Sequence, residues 1–362
     1  MRTYRPGGPV DTLQAPAGQA TSSRRVLHLT GSAVSDELAD LSLLYARGCL
    51  TATADPDHYE THIAHVSPDG RWRFPASLDP QVLDTAAPVT AGDAIRRITE
   101  LEPDVMVPQM FCRPGMTNYR ALFDVLGVPY LGNTPDATAL SVDKHRARTL
   151  VAAAGVHVPH AELLRPGQTP TIAGPVVVKP ADADNSSGVT LVRSPEDYEP
   201  ALSEAFRHSR TALVERYVEL GREVRCGLIE YGGDLVCLPL EEYAMDAASK
   251  PIRGYDDKLA RSSDGDLRLM AKDGERAWIV DPTDPVTAPV WEAARACYTA
   301  LGCRQYGLFD FRIDPDGRPW FLEAGLYCSF APTSVITMMA EAADITLPDL
   351  FRSCVDSATS MQ

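Results

Sequence analysis

A chain of 362 residues, 44% apolar and 23% charged, is long enough for two or three domains, because one hydrophobic core rarely grows past about 250–300 residues. A formal charge of −15 argues against a nucleic-acid backbone as partner, and no apolar run approaches the roughly 18 residues of a membrane span. The eight cysteines are scattered without a Cys-x-x-Cys pair, mostly among apolar residues, and so read as free thiols of a reducing cytoplasm.

Residues 1–24 are rich in Pro, Gly and Ala and lack an apolar signal core, which predicts a disordered leader rather than a targeting peptide. Arg25 to Gly31 predicts a buried strand running into a Gly-Ser loop. Leu38, Leu41, Leu44 and Tyr45 then recur at helical spacing, predicting a helix from about Asp36 to Arg47. A strand over His62 to Val66, a helix over Ala91 to Leu101, a strand over Asp104 to Gln109 and a helix over Asn118 to Leu126 follow, and Val128 to Leu131 restarts extended structure. Such alternation is the mark of a small parallel α/β unit, here residues 25–136. Ligands sit at the carboxyl ends of strands in these sheets, near Gly31-Ser32 and Gln109 to Gly115. His58, His62 and His65 lie at near-helical intervals, but Pro56 and the strand-like run after His62 argue against a metal site there.

A helix from Ser141, read as its cap, to Ala154 opens a second unit, residues 137–220. In it two β-branched runs, Val176 to Val178 and Val189 to Val192, flank a polar loop, and the first run ends in Lys179. An ammonium at the end of a buried strand needs an anionic partner. The loop Asn185-Ser186-Ser187-Gly188 can offer bare backbone N–H groups to phosphate oxygens. A plain hairpin with a snorkelling lysine would look the same. The strand from Ala212 ends at Glu215, followed by Tyr217, Val218 and a second acid, Glu223. That backbone can pair with a flat base and an acid can take ribose hydroxyls, although taken alone the stretch reads first as an edge strand with solvated acids.

In the last unit, residues 221–362, Asp314-Pro-Asp-Gly317 separates Phe309 to Ile313 from Pro319 to Leu322, a strong hairpin signal. The pairing places Asp310 and Glu323 on neighbouring strands, away from the turn. Two acids facing one cleft call for a proton or a cation, and oxygen ligands of this kind suit Mg²⁺ shared with phosphates. Solvated acids on a surface hairpin are the alternative. Helices over Ser334 to Ala343 and from Ile345 onward close the chain, with a frayed end.

Taken in this order, the pieces resemble the ATP-grasp enzymes, and within them the D-alanine–D-alanine ligase branch, from about Val26 to the C-terminus. Leu126 to Lys144 looks like that family's link between its first and nucleotide-binding domains. Lys144, Lys179, Glu215, Tyr217, Val218, Glu223, Asp310 and Glu323 follow its order and approximate spacing. The resemblance implies an α/β fold, α+β in the C-terminal half: an ATP-grasp fold behind an N-terminal parallel α/β domain. It implies that Lys144 and Lys179 hold ATP phosphates, with Ser186 and Ser187 in a loop folding over them. Glu215 and the backbone of Tyr217 and Val218 would read adenine, and Glu223 the ribose. Asp310 and Glu323 would hold one or two Mg²⁺ ions, with Mn²⁺ as an alternative. Lys258 resembles a residue of the family's mobile loop over the γ-phosphate. The implied chemistry has two steps, attack of a carboxylate on ATP to form an acyl phosphate and attack of an amine on its acyl carbon.

Four places depart from that family's pattern. Gly325 stands where the family has an asparagine metal ligand. Leu308 replaces an arginine that stabilises the oxyanion, leaving Arg225, Arg312 and Arg304 as unranked substitutes. Gln109 to Gly115 lacks the family's His-Gly and acidic loop, and Asp36 and Glu37 align only loosely with its amine-binding glutamate. Ser334 does match a serine that contacts the second substrate's carboxylate. The expectation is an ADP-forming ligase that joins two amino acids, other than two D-alanines, into a dipeptide or γ-linked amide in specialised metabolism. The alternatives are a cell-wall D-alanine–D-alanine ligase, an ester-forming or cyclising relative, and a nucleotide-binding protein without catalysis. Expected partners are small carboxylate and amine substrates, with no nucleic acid or membrane; because the family is often dimeric, a homodimer is also possible.

Overall fold

The computed structural model describes residues 23–183, 187–253, 259–261, 267–269 and 276–360. The first sheet has the order β3-β2-β1-β4. Its β1 (Arg24–Gly31) lies parallel to β2 (Tyr59–Val66) and β4 (Val105–Pro108), while the short β3 (Trp72–Arg73) pairs antiparallel with β2. Val26, Leu27 and Leu29 are buried from both faces, as a central parallel strand requires. The crossover after β1 is α1 (Asp36–Ala52), capped by Ser35 Oγ, which accepts from Leu38 N–H at 3.3 Å. It runs five residues past Arg47 because Ala46 and the fully buried Cys49 continue its apolar stripe. Gly31, at φ +93°, ends β1 where a Cβ would stand 2.0 Å from the Val66 carbonyl.

Helices α2 (Pro80–Thr85) and α3 (Ala91–Leu101) lead to β4. The predicted helix from Asn118 begins instead as a π turn over Gly115–Tyr119, which feeds α4 (Arg120–Leu126). The single helix expected over Ser141 to Ala154 is two. Thr134, with Pro135 behind it, caps α5 (Pro135–Val142), and Ser141 lies inside that helix. Asp143 then leaves helical geometry and its carboxylate accepts from His145 and Arg146 N–H at 3.1 and 3.0 Å, starting α6 (Lys144–Ala153).

The second sheet, β5-β8-β6-β7, is antiparallel throughout. It contains β5 (Ala161–Leu164), β6 (Val176–Pro180), β7 (Thr190–Val192) and β8 (Ala212–Arg216), with α7 (Tyr198–His208) packed on β6. The third sheet has the order β14-β11-β9-β15-β16, with β10 on β9. Its strands are β9 (Arg222–Tyr231), β10 (Asp234–Cys237), β11 (Glu241–Tyr243), β14 (Ala277–Ile279), β15 (Tyr306–Ile313) and β16 (Pro319–Gly325). A separate ribbon pairs β12 (Leu259–Arg261) with β13 (Leu267–Leu269). Helix α8 (Thr287–Ala300) covers one face of the third sheet, and α9 (Val335–Glu341) and α10 (Leu347–Ser360) pack against β9.

One buried side chain joins the first sheet's exit to the hairpin. Asn133 Nδ2 donates to the carbonyls of Tyr306 at 2.8 Å and Leu326 at 3.2 Å, and its Oδ1 accepts from Arg304 N–H at 2.8 Å. Asn133→Ala leaves the Tyr306 and Leu326 carbonyls and the partly buried Arg304 N–H without this partner and is expected to cost about 3 kcal/mol, read as a lower midpoint in urea unfolding.

Candidate active site

Strands β9 and β15 pair antiparallel with Asp310 opposite Arg225 and Arg312 opposite Glu223. The two-residue period puts these four charges on one face. Their neighbours Val224, Cys226, Phe309 and Phe311 are fully buried on the other. Each acid therefore meets a base across the ladder. Arg225 grips Asp310 with Nε–Oδ1 at 2.7 Å and Nη2–Oδ2 at 3.1 Å, and Arg312 Nη2 reaches Glu223 Oε2 at 2.6 Å. Burial opposes the Arg225 charge, yet Asp310 holds that guanidinium well above its ordinary pKa. Burial also pushes the Asp310 carboxyl above its ordinary range, with Arg225 pulling it back and the neighbouring Glu323 adding to the rise.

A cleft opens over this face. Ten residues singled out from the sequence line it: Lys144, Lys179, Ser187, Glu215, Tyr217, Val218, Glu223, Asp310, Arg312 and Glu323. Val177, Val189, Ile252 and Leu322 give it apolar walls, as a flat base requires. Arg225 supports the floor through Asp310. Ser186 and Lys258 lie outside the described residues. Ser334 is buried elsewhere, at the start of α9, with Cys328 Sγ 3.8 Å from its hydroxyl.

The anionic partner demanded by Lys179 is Glu215, at 2.6 Å, with Arg148 Nε 3.4 Å from the other carboxylate oxygen. An ammonium carries three donors, so Lys179 keeps capacity for a phosphate oxygen. Lys144 Nζ donates to the carbonyl of Ala183. Tyr217 N–H already donates to Pro175 O at 2.9 Å, so its amide is committed within the sheet. The three candidate arginines separate clearly. Arg312 belongs with Glu223 and the Val218 carbonyl, 3.2 Å away. Arg304 is spent on the carbonyls of Gly132 and Tyr130, at 2.7 and 3.2 Å. Arg225 alone of the three touches Asp310.

Arg148, Tyr243 and Arg253 carried no singling signal. Arg148 sits four residues after Lys144 on α6, a spacing that does place both on one face. Arg253 is brought to the cleft by packing alone.

Asp310 and Glu323 face each other as Cα partners across β15 and β16, at a bulge between Asp310 and Phe311. Among the described residues no cluster of three or more metal-type ligands exists. A carboxylate pair, one member buried and pushed upward, fits Mg²⁺ that takes its remaining oxygens from water and phosphate. Leu308 and Gly325 are also Cα partners, so both departures from the family pattern meet at one rung of the ladder. A Cβ on Gly325 would meet nothing nearer than Tyr327 Cε1 at 3.7 Å, so packing does not demand the glycine.

The family described as D-ala D-ala ligase C-terminus matches residues 168–356, more than half of the chain. The chain belongs to this family. It has the ATP-grasp fold and is, with its family, an ADP-forming carbon–nitrogen ligase. It is 28% identical over 340 residues to a D-alanine–D-alanine ligase of Corynebacterium diphtheriae, spanning 86% of this chain and 89% of the relative. It is equally 28% identical to the vancomycin B-type resistance protein VanB of Enterococcus faecalis, over 85% of this chain and 92% of that one. The solved VanG D-Ala:D-Ser ligase of Enterococcus faecalis shares the fold, with a TM-score of 0.73 at 19% identity over 93% of this chain and 100% of that one. Among the described residues no helix is long and apolar enough to cross a membrane.

Removing one partner from a buried pair strands the other charge. Arg312→Leu is expected to cost about 3–5 kcal/mol in urea unfolding, and the double variant Arg312→Leu with Glu223→Leu to recover most of it. Equal losses in the single and double variants would show that Glu223 gains nothing from Arg312.

Proposed function

We propose that this chain is an ATP-dependent carboxylate–amine ligase that joins two amino acids other than two D-alanines, as a dipeptide or γ-linked amide, in specialised metabolism. The observation that carries the ligase reading is the meeting of Lys144, Lys179, Glu223 and the Asp310–Glu323 pair in one cleft from four separate segments. Leu308 and Gly325, facing each other beside that pair, support a changed substrate. Eight free thiols favour a reducing, cytoplasmic setting, and the family's habit supports a homodimer.

In this reading the apolar walls clasp adenine, and the free oxygen of Glu223, whose other oxygen is held by Arg312, accepts from a ribose hydroxyl. Lys179 and Lys144, both buried and tethered, present donors to the phosphates without having to be ordered on binding. Asp310 and Glu323 would hold Mg²⁺, as one or two ions or replaced by Mn²⁺, which when bound supplies charge neutralisation between phosphate oxygens. The substrate carboxylate attacks the γ-phosphorus and ADP leaves. The amine then attacks the acyl carbon and phosphate leaves, with the low-dielectric cleft strengthening each charge contact and limiting hydrolysis.

A second reading, a D-alanine–D-alanine ligase, is favoured by the named relatives. Incubation with ATP, Mg²⁺ and pooled amino acids separates the two. The expected products are ADP, phosphate and a condensed mass that needs an amino acid other than D-alanine. Condensation of D-alanine alone selects the second reading, and stoichiometric AMP, or no ADP with any amino acid, sinks both. Lys144→Ala and Glu323→Ala should each lower ADP formation by about 100-fold or more, the usual scale for losing a charge contact in the transition state.

A further inference from the structure

We propose that Arg253 is a catalytic residue that grips the phosphoryl group in transfer, a role that rests on the ligase reading above. Its side chain is only 9% exposed, and its guanidinium stacks 3.6 Å from the centroid of the Tyr243 ring. That ring is fixed, since its hydroxyl donates to Glu241 and Arg225 lies 5.4 Å from its centroid. The two arginines on the ring are not equivalent. Arg225 has both oxygens of Asp310. Arg253 comes no nearer to Asp310 than 3.8 Å, beyond hydrogen-bond length, and this is its ion-pair contact among the described residues.

A side chain nine-tenths buried, whose guanidinium lies beside a carboxylate that is already gripped, suits another anion. Arg253 lines the same cleft as Lys144 and Lys179, so the anion that suits all three cations is the terminal phosphate of the nucleotide. A planar fork suits two phosphate oxygens better than a point charge does. In the step itself, a carboxylate oxygen of the acyl substrate bonds to the γ-phosphorus while the bridging β–γ P–O bond breaks. Its electron pair leaves on ADP, and no proton moves. Charge spreads over the three equatorial oxygens, where Arg253 donates. Arg225 is a positioning residue, aligning Asp310 and backing Tyr243.

The test is calorimetric titration of full-length wild type, R253Q and R253K with Mg²⁺·ADP and with the Mg²⁺ complex of β,γ-methylene ATP, after melting curves establish folding. Wild type is expected to bind both ligands. R253Q should lose about tenfold or more for the methylene analogue while its ADP affinity moves less than about twofold, with R253K between them. Turnover should show kcat falling further than KM for ATP changes. Equal losses for both ligands, or none for either, overturn the role. So does an unchanged analogue affinity with a raised KM for one amino acid, which assigns Arg253 to a substrate carboxylate. Wild type that binds neither ligand defeats the ligase reading itself, whereas wild type that binds both beside an unaffected R253Q defeats only the grip. If R253Q does not fold, R253K decides by the same comparison.

Discussion

The register between β9 and β15 is the constraint on which the site depends. With Asp310 opposite Arg225 and Arg312 opposite Glu223, opposite charges face each other twice, two residues apart, with the order of sign reversed between strands. A slip of β15 by one residue would turn Asp310 and Arg312 into the core and Phe309 and Phe311 into the cleft. A slip of two would set Asp310 against Glu223, and like charges directly opposite are unfavourable. The charges thus oppose the wrong registers as well as favour the right one.

These ion pairs contribute little net stability, because removing two charges from water offsets most of their attraction. What they contribute is placement. Arg225 holds both Asp310 oxygens at fixed positions, and Arg312 leaves one oxygen of Glu223 turned to the cleft. On the opposite wall, Glu215 between Lys179 and Arg148 sets the position of an ammonium. Side chains held by protein partners in this way need less ordering when a ligand binds, which is the advantage the proposed function would draw on.

The ladder also locates the chain's divergence from its family. Leu308 and Gly325 form the rung two residues from Asp310 and Glu323, on the same face, so the two positions at which the resemblance implies an arginine and an asparagine face each other. Cationic charge beside the acid pair comes from the neighbouring strand, through Arg225, and from Arg253, both at Asp310. On the proposed reading, the lysines and Glu223 at one end of the cleft would serve the nucleotide, and the Leu308–Gly325 rung lies near the acid pair. Changed chemistry at that end, on an unchanged nucleotide frame, is how one scaffold serves different substrates.

The sequence by itself determined what is local. The Asp314–Gly317 turn and the period of two on either side made the hairpin and the facing of Asp310 and Glu323 legible, and the order of short motifs was enough to indicate the family. The helix over Ala91–Leu101 was legible to the residue, and Thr90, whose hydroxyl accepts from Asp93 N–H, caps it where its apolar spacing begins. The break at Asp143 was not, since apolar spacing runs on across it while the cap acts only through geometry. Tertiary structure decided which charges meet. Lys179 finds Glu215 and Arg225 finds Asp310 through strand pairing between segments 36 and 85 residues apart. Arg304, Arg312 and Arg225 are alike as letters, and only the fold sends one to Gly132, one to Glu223 and one to Asp310. Electrostatic partnership depends on distance in space, and residue identity alone carries no record of that distance.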